Sequence, residues 1–273
     1  MIEASSSGAP LFFNLSSFAL AAVLVLSVLG TTVAGIFVGR AMHSHHETLR
    51  EPYSVLQAAL LGFMGLIMAF GLSLAVGRYE SRRAALVDES NAIGTTYLRA
   101  QTLHEPQRSQ SIALLRRYAV VELQLAHAVP NSTREKRVEA AADDLQRQLW
   151  AIAGTAMGAA PVASAPRLYV ESLNSTIDAQ GVRVAAWSNR VPTTVLLLEL
   201  VGAAVALGLL AVYLAILGRG VVPVLVAAAL VSAILLVTFD LDRPTRGLIK
   251  DPTGPLVQLI ASMALPPAAA PPP

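Results

Sequence analysis

Four long apolar runs constrain the fold of this chain more than any other feature. They cover 17–38, 55–76, 193–217 and 221–239, and Glu199 is the one charged residue within them. A helix needs about 20 consecutive apolar residues to cross a bilayer. The composition, with 54% hydrophobic and 14% charged residues, is also typical of membrane proteins. The sequence therefore predicts an all-α integral membrane protein with four transmembrane helices.

The second apolar run leads into a charged segment without losing its helical rhythm. From Leu60 to Arg99 there is no proline, and apolar side chains after Arg78 recur at steps of three and four. We predict one long helix that crosses the membrane and continues into water. The whole of 78–191 reads as helices, so we also predict a cytoplasmic helical bundle inserted between the second and third transmembrane helices.

Loop and cap signals complete the organisation. An outer loop is predicted near 40–54, an N-cap at Ser132 or Thr133, and a Gly/Ala/Pro linker at 154–166. The predicted parts are 1–77 with the first two transmembrane helices, 78–191 as the bundle, 192–240 with the last two, and 241–273 as a cytoplasmic tail with a disordered Pro/Ala-rich end.

The basic residues are distributed unevenly between the two sides of the membrane. Of the 20 Lys and Arg residues, all but Arg40, Arg50 and Arg219 lie on the side that holds both termini and the bundle. Loops with an excess of Lys and Arg usually remain in the cytoplasm. We therefore expect both termini and the bundle to be cytoplasmic.

A seam of small residues follows one side of the second transmembrane helix. Such seams commonly allow two helices to pack closely in lipid, and spacing alone favours that interpretation. The alternative is a helix that lines a narrow pore in a ring of subunits, with apolar side chains forming a constriction. The members of the seam are Ala58, Gly62, Gly65, Ala69 and Ser73.

Two groups of ionisable residues could carry chemistry. The cluster Asp88-Glu89-Ser90-Asn91 could bind a cation or a proton, but consecutive helical residues point in different directions, which favours a contact between helices or subunits. Glu199 lies within the third apolar run. It either has a partner or faces water, or it extends to the membrane interface, and the sequence leaves both open.

The sequence contains no set of residues that indicates an enzyme. His43, His45 and His46 could bind zinc or copper, but a solvated loop is the simpler interpretation, and we assign no metal site. Cysteine is absent, and no nucleotide loop or catalytic triad is recognisable. We expect no catalytic residue, no cofactor and no nucleic-acid partner.

Two stretches resemble a bacterial membrane family called bestrophin-like and, more distantly, the bestrophin channels. They are GLSLAVGRYESRRAALVDESNAIGTTYLR at 71–99 and LDRPTRGLI at 241–249. The order of two membrane helices, a helical block, two more helices and a tail also agrees. Glu80 and Thr245 stand where bestrophins have aromatic residues, and the acidic calcium clasp of animal bestrophins has no counterpart.

The resemblance implies roles for residues near the membrane. It places a hydrophobic neck at Gly62, Leu66 and Phe70, with Ser73 also lining the pore. It implies a bacterial inner-membrane location. The residues that it places in a motif at the cytoplasmic mouth are Arg78, Tyr79, Asp88, Glu89, Asn91, Asp242, Arg243, Pro244 and Gly247.

The resulting hypothesis is a multi-pass ion channel for small anions. Its partners are further copies of itself, which in bestrophins form a pentamer, together with the lipid bilayer and small inorganic ions. Two alternatives stay open. One is a membrane sensor or scaffold whose bundle binds a partner, and the other is a small-solute or proton-coupled transporter that uses Glu199.

Overall fold

The computed structural model describes residues 15–42, 46–129, 132–218, 221–245 and 247–267, without the side chains of 46–50. Within these ranges the chain is helical and has no strand, so the all-α prediction is confirmed. The described helices are α1 (Ser17–Ala41), α2 (His46–Ala100), α3 (Gln107–Ala126), α4 (Thr133–Ala159), α5 (Ser164–Ser188), α6 (Thr193–Ile216), α7 (Val222–Leu241) and α8 (Gly254–Met263).

Four of these helices are long and apolar enough to cross a membrane. They are α1, α2, α6 and α7, and each contains a long stretch of apolar residues. Within the described residues, the structure thus has four candidate membrane-spanning helices, as many as the sequence predicts. After Glu51, the next charged residue of α2 is Arg78. The apolar part of α2 that is long enough to cross a membrane therefore ends before Arg78.

The chain divides into two compact units. The membrane unit comprises Met1–Tyr79 and Arg190–Lys250, and the second unit comprises Glu80–Asn189 and Asp251–Pro273. Each unit has its own hydrophobic core. The second unit therefore combines the last part of α2 with α3, α4, α5 and α8.

Glycines bring α1 and α6 together in the membrane unit. A Cβ at Gly35 would overlap the carbonyl oxygen of Gly208, and one at Gly39 would overlap the carbonyl oxygen of Val212. Close backbone approach of this kind is the usual means of helix association in lipid, where apolar burial alone does not hold helices together. Gly30, by contrast, has no atom within 4 Å of its Cβ position.

The second unit is built around a core of aliphatic and tyrosine side chains. Tyr118 and Tyr169 are fully buried in it, with Leu149 and Leu173. The hydroxyl of Ser132 accepts a hydrogen bond from the Glu135 amide at 3.1 Å, which confirms Ser132 as the N-cap of α4. The core also includes Leu256 and Met263 of α8, so a segment of the predicted tail contributes a helix to this unit.

Two local predictions were wrong. α2 begins at His46 and includes Pro52, so the outer loop is shorter than the predicted 40–54. Proline has no backbone N–H, so near the start of a helix it removes one backbone hydrogen bond. The 154–166 linker starts later, because α4 continues to Ala159 and ends next to Pro161. In the tail, 254–263 forms α8, a helix that was not predicted. The predicted disorder concerns the Pro/Ala-rich end, of which 268–273 lie outside the described residues.

Candidate functional site

α2 presents two different faces within the membrane unit. One face contains Met64, Met68, Gly71 and Ala75, which are buried against the rest of the unit. The opposite face, about half a helical turn away, contains the predicted pore residues. We call it the neck face and define it as Gly62, Leu66, Phe70 and Ser73, all of which are exposed in the single chain.

The neck face and the adjoining small-residue seam are not used for packing within the described chain. Phe70 is 64% exposed and Leu66 is 54% exposed. Gly62 and Gly65 have no atom within 4 Å of their Cβ positions. The small seam therefore does not serve a contact between two helices of the same described chain, which leaves lipid, another copy or a pore lumen as its surroundings.

Glu199 lies on α6 against the packed face of α2. Its side chain is fully buried. A Cβ at Gly71 would overlap Glu199 Oε1, so a larger residue there would displace the carboxyl from this position. Neither carboxyl oxygen has a hydrogen-bond partner among the described residues. A carboxylate in a membrane usually has a partner or faces water, which makes Glu199 a candidate functional residue.

The predicted acidic cluster separates into exposed and buried members. Asp88 and Asn91 are exposed, whereas Glu89 is fully buried. Glu89 Oε2 lies 2.6 Å from Arg183 Nε, and Arg183 Nη2 pairs with Glu122 Oε2. Glu89 therefore makes a contact between helices α2, α3 and α5 rather than binding a metal.

Burial controls the ionisation of this group of residues. Burial raises the pKa of Glu89 to about 8, although the Arg183 guanidinium acts in the opposite direction. The pKa of Glu122 is also raised by burial, again opposed by Arg183. Tyr118 shares this environment, and burial raises the pKa of its hydroxyl, with a further contribution from the two nearby carboxyls. Burial therefore opposes the ionisation of both carboxyls and of the Tyr118 hydroxyl.

The 241–249 motif forms a tight turn after α7. Its organising side chain is Asp240, whose carboxylate accepts hydrogen bonds from the amides of Leu248 at 2.9 Å and Ile249 at 2.8 Å. Gly247 lies so close that a Cβ there would be 2.9 Å from both carboxylate oxygens of Asp240. Glycine at 247 is therefore required by the close approach.

The other motif residues tie the turn to the rest of the membrane unit. Asp242 accepts a hydrogen bond from the Val191 amide at 2.9 Å, just before α6. Arg243 donates to the Leu15 carbonyl oxygen at the start of α1. Pro244 is buried beside them. In the described chain these residues therefore hold three segments together.

Arg78 and Tyr79 lie where α2 passes from the uncharged to the charged part of its sequence. Both are half-buried, and Tyr79 packs against the core of the membrane unit. One turn further along, Arg82 is buried, and its Nε donates to Asp251 Oδ2 at 2.9 Å within the second unit. The charged end of α2 is therefore fixed by specific contacts.

Sequence reasoning missed Glu122, Arg183 and Asp240. Glu122 and Arg183 are charges within apolar helix faces, in AVVELQLA and GVRVAAW, and that mismatch is the signal that could have paired them. Asp240 is the last residue of the part predicted to hold the third and fourth membrane helices, and its role in the following turn was not predicted. Glu89, Glu122 and Arg183 are far apart in the sequence, so their contact in the folded chain is not visible from sequence spacing.

The metal hypothesis for the histidines is not addressed by the structure. His43 and His45 lie outside the described residues, and the side chain of His46 is also not described. Across the part of the chain that the structure describes, no group of three or more His, Asp or Glu side chains is arranged to hold a metal ion.

Comparison with known proteins adds a family to this geometry. A family model described as Bestrophin-like domain matches residues 17–250. The matched range begins with α1 and ends with the turn that Asp240 organises. No curated protein and no solved structure matches the chain.

Proposed function

Because the chain belongs to the bestrophin-like family, we propose that it is an oligomeric ion channel that passes small anions through a central pore lined by α2. The observation that carries this proposal is the orientation of α2. Its neck face lies opposite the face that packs within the chain, so the neck face is available to a lumen.

The arrangement of small residues supports a ring of subunits. Ala58, Gly65 and Ala69 lie beside the neck face and are exposed in the single chain. Small residues allow neighbouring helices to approach closely, as is needed where several copies of one helix surround a narrow axis. In this proposal Ala58, Gly65 and Ala69 contact the next subunit, while Leu66 and Phe70 form an apolar constriction.

The proposed orientation places the second unit and both termini in the cytoplasm of a bacterium, with the protein in the inner membrane. The distribution of Lys and Arg supports it. Because the chain has no cysteine, single cysteines at exposed positions such as Asp88 and Glu139 can be tested for labelling in intact cells. Labelling by a membrane-impermeant reagent before lysis would contradict this orientation.

The pore is tested by widening the constriction. We expect Phe70→Ala and Leu66→Ala to increase chloride flux several-fold in proteoliposomes, because a smaller apolar side chain lowers the barrier to a hydrated ion. Phe37→Ala is the matched control, because Phe37 on α1 is 66% exposed and Phe70 is 64% exposed. Unchanged flux in both α2 variants would contradict the pore assignment, as would a monomer or dimer that persists in native mass spectrometry across mild detergents.

Glu199 supports a second candidate function, a proton-coupled or small-solute transporter. The supporting observation is its full burial with no hydrogen-bond partner among the described residues. In this case Glu199→Gln should abolish proton uptake by proteoliposomes, measured with an enclosed pH-sensitive dye, while Phe70→Ala should have little effect. Chloride flux that survives Glu199→Gln and responds to Phe70→Ala favours the channel.

A further inference from the structure

We propose that Glu89, Glu122 and Arg183 form a proton-binding site in which one bound proton stabilises the contact between α2, α3 and α5. Losing this proton would loosen the second unit. The site would make the protein sensitive to pH whether or not it conducts ions, so this inference goes beyond the channel and does not depend on it.

The first argument is geometric. All three side chains are fully buried, and the two carboxyls meet the same guanidinium. Arg183 is the ion-pair partner of both carboxyls, and no other cation pairs with either within the described residues. Oε1 of each carboxyl has no hydrogen-bond partner in the same part of the chain.

The second argument is charge balance. Two ionised carboxylates and one guanidinium would leave a net negative charge in a site without solvent access, which is costly in a medium of low dielectric constant. A proton on one carboxyl makes the group neutral. It also supplies an O–H donor to a site that is otherwise rich in acceptors. The neutral, singly protonated group is therefore the favoured state of the folded unit.

The groups around the carboxyls do not remove this imbalance. From α3, the Tyr118 hydroxyl faces Glu122 and accepts a hydrogen bond from Gln146 of α4 at 2.9 Å. The charge of Asp143, also on α4, acts unfavourably on ionised Glu122. From α5, Arg183 stacks on the Trp187 ring at 4.6 Å. Apart from Arg183, these neighbours are neutral or negative. The contact of the Tyr118 hydroxyl favours ionised Glu122, but no second cation balances the second carboxylate among the described residues.

The pH range follows from the raised pKa of Glu89. Burial raises this pKa from the ordinary value of 4.5 to about 8. The folded unit therefore binds a proton that the unfolded chain releases between these two pH values. By linkage, the stability that this proton contributes is complete below about pH 4.5 and is lost as pH rises through about 8.

The tryptophans allow a direct test on the full chain. Both, Trp150 and Trp187, lie in the second unit, so intrinsic fluorescence reports its unfolding. For purified protein in detergent, we expect the melting temperature to fall by several degrees as the pH rises from 6 to 9. Glu89→Gln should remove most of this fall, because the carboxamide stays neutral and can still donate to Glu122.

Two controls make the result decisive. Glu139→Gln changes an exposed acid on α4 and should retain the fall in melting temperature. If Glu89→Gln fails to fold, Trp150→Phe leaves Trp187 as the single reporter beside Arg183, and its emission should change near pH 8 in the folded protein. An identical pH dependence in the parent and in Glu89→Gln, or Trp187 emission that is constant from pH 6 to 9, would overturn the proposal.

Discussion

The two units bury carboxylic acids in different ways. In the second unit, Glu89 and Glu122 are held by the guanidinium of Arg183. In the membrane unit, Glu199 is equally buried but rests against Gly71 with no hydrogen-bond partner among the described residues. A buried ion pair is hard to break from one side, whereas an isolated buried carboxyl can be replaced with little loss. The ion pairs of Glu89 and Glu122 stabilise the second unit. Glu199 has no such stabilising partner among the described residues, which makes it a candidate functional residue.

The largest effect is expected from removing the shared cation. Arg183→Met would leave two buried carboxyls without a counter-charge, and we expect the second unit to lose about 3–5 kcal/mol of stability. Tryptophan fluorescence during denaturant unfolding measures this change. The control is Arg147→Met, which removes an exposed pair with Asp144 and should have almost no effect. Equal effects of the two variants would show that Arg183 does not balance the carboxyls.

The next effect concerns the glycine that accommodates Glu199. Gly71→Ala places a methyl group where Glu199 Oε1 lies, and we expect a loss of about 1–3 kcal/mol in the membrane unit. The near-isosteric Ser232→Cys provides a buried thiol on α7 whose reaction with a dye reports unfolding of this unit alone.

Two further variants identify the source of this loss. Adding Glu199→Ala to Gly71→Ala should restore most of the stability, because it removes the overlapping atoms. Gly30→Ala on α1 fills open space within the chain and should be neutral for the same thiol probe. A loss that persists in the double variant would mean that the overlap is not its cause.

A smaller and opposite effect is expected when Glu199 itself becomes apolar. Glu199→Met keeps a similar volume and removes a buried carboxyl, and we expect a gain of about 1 kcal/mol. Glu89→Met should instead destabilise the second unit, because it leaves Arg183 with one carboxyl fewer. The melting temperature measured with the Ser232→Cys thiol gives the direction of the change in the membrane unit. The melting temperature measured by tryptophan fluorescence gives the direction of the change in the second unit. The same sign for both would end the distinction between the two acids.

The smallest effect is expected at an acid that water reaches. Glu105 accepts a hydrogen bond from the Ser109 amide at 3.2 Å, and its contacts with Ser109 lower its pKa. Its contribution is therefore present above about pH 4.5 and is lost as pH falls through the lowered folded pKa, opposite in sign to Glu89. Glu105→Gln should change the melting temperature at pH 7 by about 1 °C or less. A larger change would mean that solvent screening is weaker here than exposure suggests.

Sequence patterns predicted the structural features that depend on residues close together along the chain. The membrane-crossing helices follow from uncharged runs of sufficient length, and the Ser132 cap follows from a local hydrogen bond. The partners of Glu89 could not be predicted, because Glu122 and Arg183 become neighbours only when three helices pack. The fit of Gly71 to Glu199 is hidden for the same reason, since a small-residue seam does not tell which glycine meets which side chain. Pro52 and Gly154 were interpreted as loop and linker residues, but both lie within helices. The helix-forming residues around them outweigh their own low helix propensity.

The position of α8 has a consequence for how the protein is made. α8 follows both α6 and α7 in the chain, yet Leu256 and Met263 belong to the core of the second unit, and the Tyr97 hydroxyl donates to the Met263 carbonyl oxygen at 3.1 Å. During translation, the last two membrane helices therefore leave the ribosome before this core can close. Until then the core of the second unit lacks the side chains of Leu256 and Met263, so this unit is completed only after the whole membrane unit has been synthesised.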